Sequence, residues 1–219
     1  MNPCLVAPKT LDSTIMSCTP SGAGTLRKGD REAVMLSAER VALGVCWLAW
    51  AWPFAFRAPH YQKRPSITAM APSIAGLLLE VLALAIALAF RLPPSQPPGP
   101  VCILASMVAG LIAAALSWTS VKHLGKQFRV NAGLYEDHEL VRTGPYGIVR
   151  HPIYSSVLAI LLSTILLLTP WRWAAVSLVL FVVGTEIRVR TEDKLLASRF
   201  GPEFAEYRKK VPACVPFVR

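Results

Sequence analysis

The chain has 219 residues, of which 53% are hydrophobic and only 16% charged, and a mean hydropathy of +0.45, which excludes an ordinary water-soluble domain of this size. The formal net charge of +10 does not point to nucleic acid, because Lys and Arg fall mostly between apolar runs, where they report membrane orientation. Five cysteines, Cys4, Cys18, Cys46, Cys102 and Cys214, stand without CxxC spacing, so neither a metal site nor a disulfide framework is expected.

In chain order, residues 1–31 are rich in small and polar types and are read as a mobile N-terminal tail. A hydrocarbon core of about 30 Å needs about 20 helical residues, and five runs qualify: they lie within 33–56, 69–90, 101–121, 153–169 and 171–187. The proline-rich stretch from Leu92 to Pro100 cannot continue a helix and separates the second run from the third. Thr169-Pro170-Trp171 is a shorter stop, predicting a tight hairpin of the fourth and fifth runs with indoles at the interface. The expected fold is all-α and polytopic, with transmembrane helices one to three over 32–120 and a catalytic region over 121–219.

Orientation follows from the basic residues. With the loop after the third run placed in the cytoplasm, that side holds Arg57, Lys63, Arg64, Lys122, Lys126, Arg129, Arg142, Arg150 and the basic C-terminus, leaving Arg91 and Arg172 opposite. Lys9, Arg27, Lys28 and Arg31 count the other way, and the larger group decides. The polar loops then face the cytoplasm, at the inner membrane of a bacterium or the endoplasmic reticulum of a eukaryote.

After the third run the chain is polar and glycine-punctuated until Gly144-Pro-Tyr-Gly-Ile-Val-Arg-His-Pro-Ile-Tyr154, a turn followed by a helix start. Pro152 suits a first helical position, which gathers Arg150, His151 and Tyr154 at a helix N-terminus attractive to an anion. The plainer alternative makes Arg150 and Tyr154 interfacial anchors and His151 a cap. The fifth run continues at helical spacing into Glu186 to Lys194, with Arg188, Glu192 and Leu195 on one face. The segment from Pro202 to Val211 carries its acids early, its bases late and Phe204, Tyr207 and Val211 on one side, predicting an interfacial amphipathic helix that serves as a lid. Glu80, inside the second run, is either a substrate-tunnel carboxylate or a protonated glutamate bonded to a neighbouring helix. Trp47, Trp50 and Trp52 read as an interfacial belt, with an aromatic substrate cage as the alternative, and the two are compatible.

The stretches His138-Glu-Leu-Val-Arg-Thr-Gly-Pro-Tyr146, Arg150-His-Pro-Ile-Tyr154, Arg188-Val-Arg-Thr-Glu192 and Phe200-Gly-Pro-Glu-Phe-Ala-Glu-Tyr207 resemble the isoprenylcysteine carboxyl methyltransferase family, within a wider group of membrane and phospholipid methyltransferases. The resemblance implies an enzyme that binds S-adenosylmethionine without a dinucleotide-binding fold, and no GxGxxG turn is present here. It places cofactor contacts on Asn131, His138, Glu139, Leu140, Val141, Tyr146, His151, Pro152, Ile153, Tyr154 and Glu192, with Arg188 on the substrate side and Arg188 and Glu192 as the catalytic pair. It also implies a lipophilic acceptor entering from the bilayer.

Elementary chemistry agrees with those roles. A carboxylate such as Glu192 suits the cofactor's ammonium, and His151 with helix-terminal amides suits its carboxylate. A carboxylate acceptor needs no proton removed, and Arg188 would hold it, whereas Arg188 would repel an aminophospholipid ammonium. The expected reaction is therefore O-methylation of an isoprenylcysteine-like or other amphipathic acid. The alternatives are phospholipid N-methylation, a sterol-reductase-like enzyme using NADPH, and a catalytically silent membrane scaffold.

Overall fold

The computed structural model describes residues 28–56, 67–68, 70–92, 96–128, 133–134 and 139–215. Six helices follow in order: α1 (Lys28–Phe56), α2 (Met70–Ala89), α3 (Pro100–Leu124), α4 (Pro152–Leu168), α5 (Trp171–Phe200) and α6 (Pro202–Lys210). The expected tail lies outside the described residues as far as residue 27. A two-residue antiparallel pairing of β1 (Ile67–Thr68) with β2 (Gly133–Leu134) is an addition that the all-α expectation lacked. It ties the loop before α2 to the loop after α3.

Proline sets the helix boundaries. Pro100, Pro152 and Pro202 each sit in the first turn, where the missing amide is harmless, and Pro170 stands between α4 and α5. Two helices, Ala71–Ala89 and Pro100–Leu124, are long and apolar enough to cross a membrane on their own, while the apolar Pro152–Leu168 is shorter. α5 has 30 residues, about 45 Å at helical rise, so its last turns reach beyond any single crossing.

α4 is the centre of the packing. Ile160, Leu161, Ser163 and Thr164 are fully buried, with Ala83, Ala87 and Phe181 meeting Leu161 and Ile165 on one side, and Cys46 and Ala113 meeting Ala159 and Ile160 on the other. The outer faces are apolar instead: Leu48 of α1, Leu78 of α2, Leu104 and Leu111 of α3 and Val179 of α5 are all exposed. Apolar surface that broad around a core carrying buried serines is the arrangement expected when hydrocarbon is the solvent.

Small residues set the helix pairs. Ser106 of α3 and Ser163 of α4 donate to each other's carbonyls at 2.6 and 2.8 Å, a reciprocal clasp in which each hydroxyl finds an acceptor. Gly76 of α2 and Gly184 of α5 bring their backbones so close that a Cβ on Gly184 would stand 2.7 Å from the Gly76 carbonyl oxygen. These two seams explain a departure from expectation. α4 and α5 do share the turn at Thr169-Pro170, but their arms part, α4 packing chiefly on α3 and α5 chiefly on α2.

Candidate active site

Three local structures converge where α3, α4 and α5 meet the polar loop. The first is the turn Gly144–Gly147, where Gly144 holds φ +59° and a Cβ would collide with the His123 ring at 2.4 Å. That turn buries Tyr146. The second is the start of α4, where His151 is the N-cap residue and Pro152 follows it. The third is the extension of α5, whose helical phase turns Arg188, Thr191 and Glu192 inward with Asp193 beside them.

The side chains of these pieces form one bonded chain. Arg188 donates from Nε to the Tyr154 hydroxyl at 2.8 Å, and that hydroxyl donates to Glu192 Oε1. The other oxygen of Glu192 lies 3.2 Å from His151 Nδ1, and His151 Nε2 lies 2.9 Å from Asp193 Oδ1. Arg150 closes the series with a bond to Asp193 Oδ2 at 3.0 Å. Positive and negative groups alternate along it, so each buried charge has a counter-ion.

His151 has a carboxylate oxygen at each ring nitrogen, an arrangement that satisfies the doubly protonated imidazolium. Burial opposes that charge, yet the bonds to Asp193 and Glu192 and their negative charges prevail and lift the pKa to about 9. The carboxyls respond in the opposite sense: burial pushes both upward, but the His151 bond and charge hold Glu192 and Asp193 below their ordinary values.

A cavity of about 410 Å³ opens over this chain. Glu139, Leu140, Val141, Tyr146, His151, Ile153, Tyr154, Arg188 and Glu192 all line it. Pro152 is buried as the first residue of α4 and is not among the lining residues. Asn131 and His138 lie outside the described residues. The bonded side chains make up the polar part of its lining, and Trp50, Phe54, Leu77, Leu124 and Val157 the apolar part.

The residues after α6 complete the polar part. The amides of Arg150 and His151 donate to the carbonyls of Pro212 and Ala213, both at 2.8 Å, and Ser155 donates to the Cys214 carbonyl. Arg150 donates from its side chain to Val211. These bonds occupy two amides at the α4 N-terminus that the sequence reading had left available to an anion. α6 packs over the site rather than standing apart: Phe204 is buried, and the Tyr207 hydroxyl donates to the Tyr146 carbonyl at 2.5 Å.

Sequence reasoning missed Asp193 and left the surroundings of Glu80, Trp50 and Trp47 undecided. Asp193 is the buried link between His151 and Arg150, and its only signal was the acidic pair it makes with Glu192. Glu80 accepts from the Thr185 hydroxyl at 2.9 Å and lies 3.7 Å from Arg188 Nε, so it belongs to the cavity as well as to a neighbouring helix. Trp50 and Trp47 turn inward. Their indoles donate to Ser156 and Thr164 of α4, each at 3.1 Å, because residues three apart share the face of α1 that meets α4; Trp52 is on the outer face.

Comparison with known proteins bears on the same region. The model of the isoprenylcysteine carboxyl methyltransferase family matches residues 105–198. The protein-S-isoprenylcysteine O-methyltransferase B of Arabidopsis thaliana is 32% identical over 111 residues, 49% of this chain and 56% of that protein. The protein-S-isoprenylcysteine O-methyltransferase of Schizosaccharomyces pombe is 39% identical over 84 residues, 38% of this chain and 35% of its own. A cobalt-zinc-cadmium resistance protein, CzcN of Cupriavidus metallidurans, is 38% identical over 81 residues, 37% of each chain. The chain thus spans about a third to just over half of the length of these relatives. The stretch matched by the family model covers α4, most of α3 and most of α5, and leaves α1 and α2 outside.

Proposed function

We propose that the chain is an S-adenosylmethionine-dependent membrane methyltransferase that O-methylates the carboxylate of an isoprenylcysteine-like or other amphipathic lipid acid. The observation that carries this reading is that one and the same cavity is lined by Glu192, His151, Tyr146 and Arg188 and by the apolar and aromatic Trp50, Phe54, Leu77 and Val157. In this reading residues 32–120 anchor the protein, residues 121–219 are catalytic, five helices cross the membrane, and the site faces the cytoplasm.

The polar part of the lining fits the cofactor by its chemistry. The volume is within the range of about 300–1,000 Å³ typical of small-molecule sites. Glu192 offers a carboxylate to an ammonium, and the buried Tyr146 hydroxyl, which has no hydrogen-bond partner among the described residues, offers both a donor and an acceptor. Leu140, Val141 and Ile153 supply an apolar wall for a flat base. S-adenosylmethionine, when bound, supplies an electrophilic methyl group.

The chain's own residues then have little proton chemistry to perform. Arg188 anchors the acceptor carboxylate, and Tyr154 fixes the guanidinium by accepting from its Nε and lying beneath it, ring centre to Cζ 5.0 Å. Glu192 orients the donor, His151 and Asp193 hold Glu192 in place, and α6 with residues 211–214 keeps water from the polar part. A lipid tail would occupy the space beside Trp50, Phe54 and Leu77.

A second reading has one observation of its own. Phospholipid N-methylation needs a group to take a proton from an ammonium, and the Glu80 carboxylate beside Arg188 is such a group. Calorimetry with S-adenosylmethionine on the detergent-purified protein, beside Glu192→Ala and His151→Ala, tests the cofactor; transfer of a labelled methyl group to farnesylated cysteine or to phosphatidylethanolamine separates the acceptors. A folded wild type that binds no S-adenosylmethionine overturns the proposal and directs attention to NADPH.

A further inference from the structure

Glu80 is the one acidic residue within α2, and α2 lies outside the stretch matched by the family model. Its side chain is buried at 4% exposure and lines the cavity together with Arg188. The position is enforced: Gly76 and Gly184 close the α2–α5 crossing, and Glu80, one turn on from Gly76, meets Thr185 next to Gly184 and Arg188 one turn beyond it. A hydroxyl donates to one carboxyl oxygen at 2.9 Å and a guanidinium nitrogen lies 3.7 Å from the other, so both oxygens are turned to partners on α5.

The pairing alters what Arg188 selects. Alone, a buried arginine would attract any lipid acid. With Glu80 beside it, a bare carboxylate approaching Arg188 must compete with a carboxyl group that is already there. A head group that sets a hydrogen-bond donor next to its acid answers both groups, the acid to Arg188 and the donor to Glu80.

We infer that Glu80 is a specificity-determining residue of the acceptor site, paired with Arg188 so that the site prefers lipid acids carrying an N–H or O–H donor beside the carboxylate over plain lipid acids. The inference rests on the reading of Arg188 as the acceptor's anchor. Binding alone, without the methyl donor, tests it. Calorimetry on the full chain in detergent would compare farnesylthiopropanoic acid, a plain acid, with N-acetyl farnesylcysteine, whose amide N–H adjoins the acid, for wild type, Glu80→Gln and Glu80→Asp.

Wild type should favour the amide-bearing acid by about tenfold, the size of one hydrogen bond to a charged group. Glu80→Gln should bring the ratio close to one, chiefly by tightening the plain acid, and Glu80→Asp should keep the preference. Equal affinities for the two acids in wild type, or no binding of either, overturn the inference even if the variants fail to fold. A ratio unchanged in Glu80→Gln overturns it as well. S-adenosylmethionine titrated into the same samples reports separately on the proposed function, so the two failures are distinguishable.

Discussion

Arg188 and Tyr154 are bonded within the cavity, Nε to hydroxyl at 2.8 Å, and the same hydroxyl bonds to Glu192. One phenol therefore links the group proposed to hold the acceptor with the group proposed to hold the donor. Tyr154→Phe keeps the ring beneath the guanidinium and deletes only the link. We expect S-adenosylmethionine to bind about tenfold more weakly, as a charge-assisted hydrogen bond implies, with acceptor binding weakened too. Calorimetry with each ligand is the check, and an unchanged donor affinity would show that Glu192 is held by His151 alone.

The charge on His151 makes alkaline conditions a test. Its pKa is about 9 in the folded protein against an ordinary 6.5, so its contribution to stability is complete below about 6.5 and is lost as pH rises through about 9. Glu192 and Asp193 have lowered values, so their contributions are present above the ordinary 4.5 and 3.8 and fade as pH falls below them. The melting temperature of wild type should decline between pH 7 and pH 9.5, a span of about 2.5 units around the His151 transition. His151→Asn should start lower and lose most of that slope.

Gly184→Ala tests the helix seam. The new methyl group would stand 2.7 Å from the Gly76 carbonyl oxygen and 3.0 Å from Leu79 Cβ, and neither a backbone nor a Cβ can swing aside. α2 and α5 must separate, at a cost of about 1–3 kcal/mol, and Glu80 moves away from Arg188. Thermal unfolding should register the loss, and acceptor binding should suffer more than donor binding, which depends on α4 and α5.

Truncation after Val211 removes the carbonyls of Pro212 and Ala213 that accept from Arg150 and His151. Two amides in the polar part then lose their acceptors, and the turn before α4 loosens. S-adenosylmethionine affinity should fall by about tenfold or more while the helical circular dichroism signal is retained. Ser155→Ala, which removes one bond to the same segment, should show a smaller effect in the same direction.

The site was legible in the sequence where its residues are close in the chain. Gly144, Pro152 and the spacing of Arg188 and Glu192 each have a local reason, a turn or a helical phase, and local reasons can be read along a line of text. Helix boundaries marked by Pro100, Pro152 and Pro170 were legible for the same cause. What stayed hidden depends on which helices pair. Glu80 could be seen as a charge in an apolar run, but only the Gly76–Gly184 crossing says that it faces Arg188. Trp47 and Trp50 looked like surface indoles until α4 supplied Ser156 and Thr164. The bonds from residues 211–214 to the start of α4 join positions about sixty apart and leave no periodic trace.

Those bonds also tie the start of α4 to a segment about sixty residues further on that belongs to no helix. A protease cut between Val211 and Pro212 would leave α1 to α6 intact while freeing the amides of Arg150 and His151 from the carbonyls that seat them. In the proposed reading such a nick would silence the protein without unfolding it.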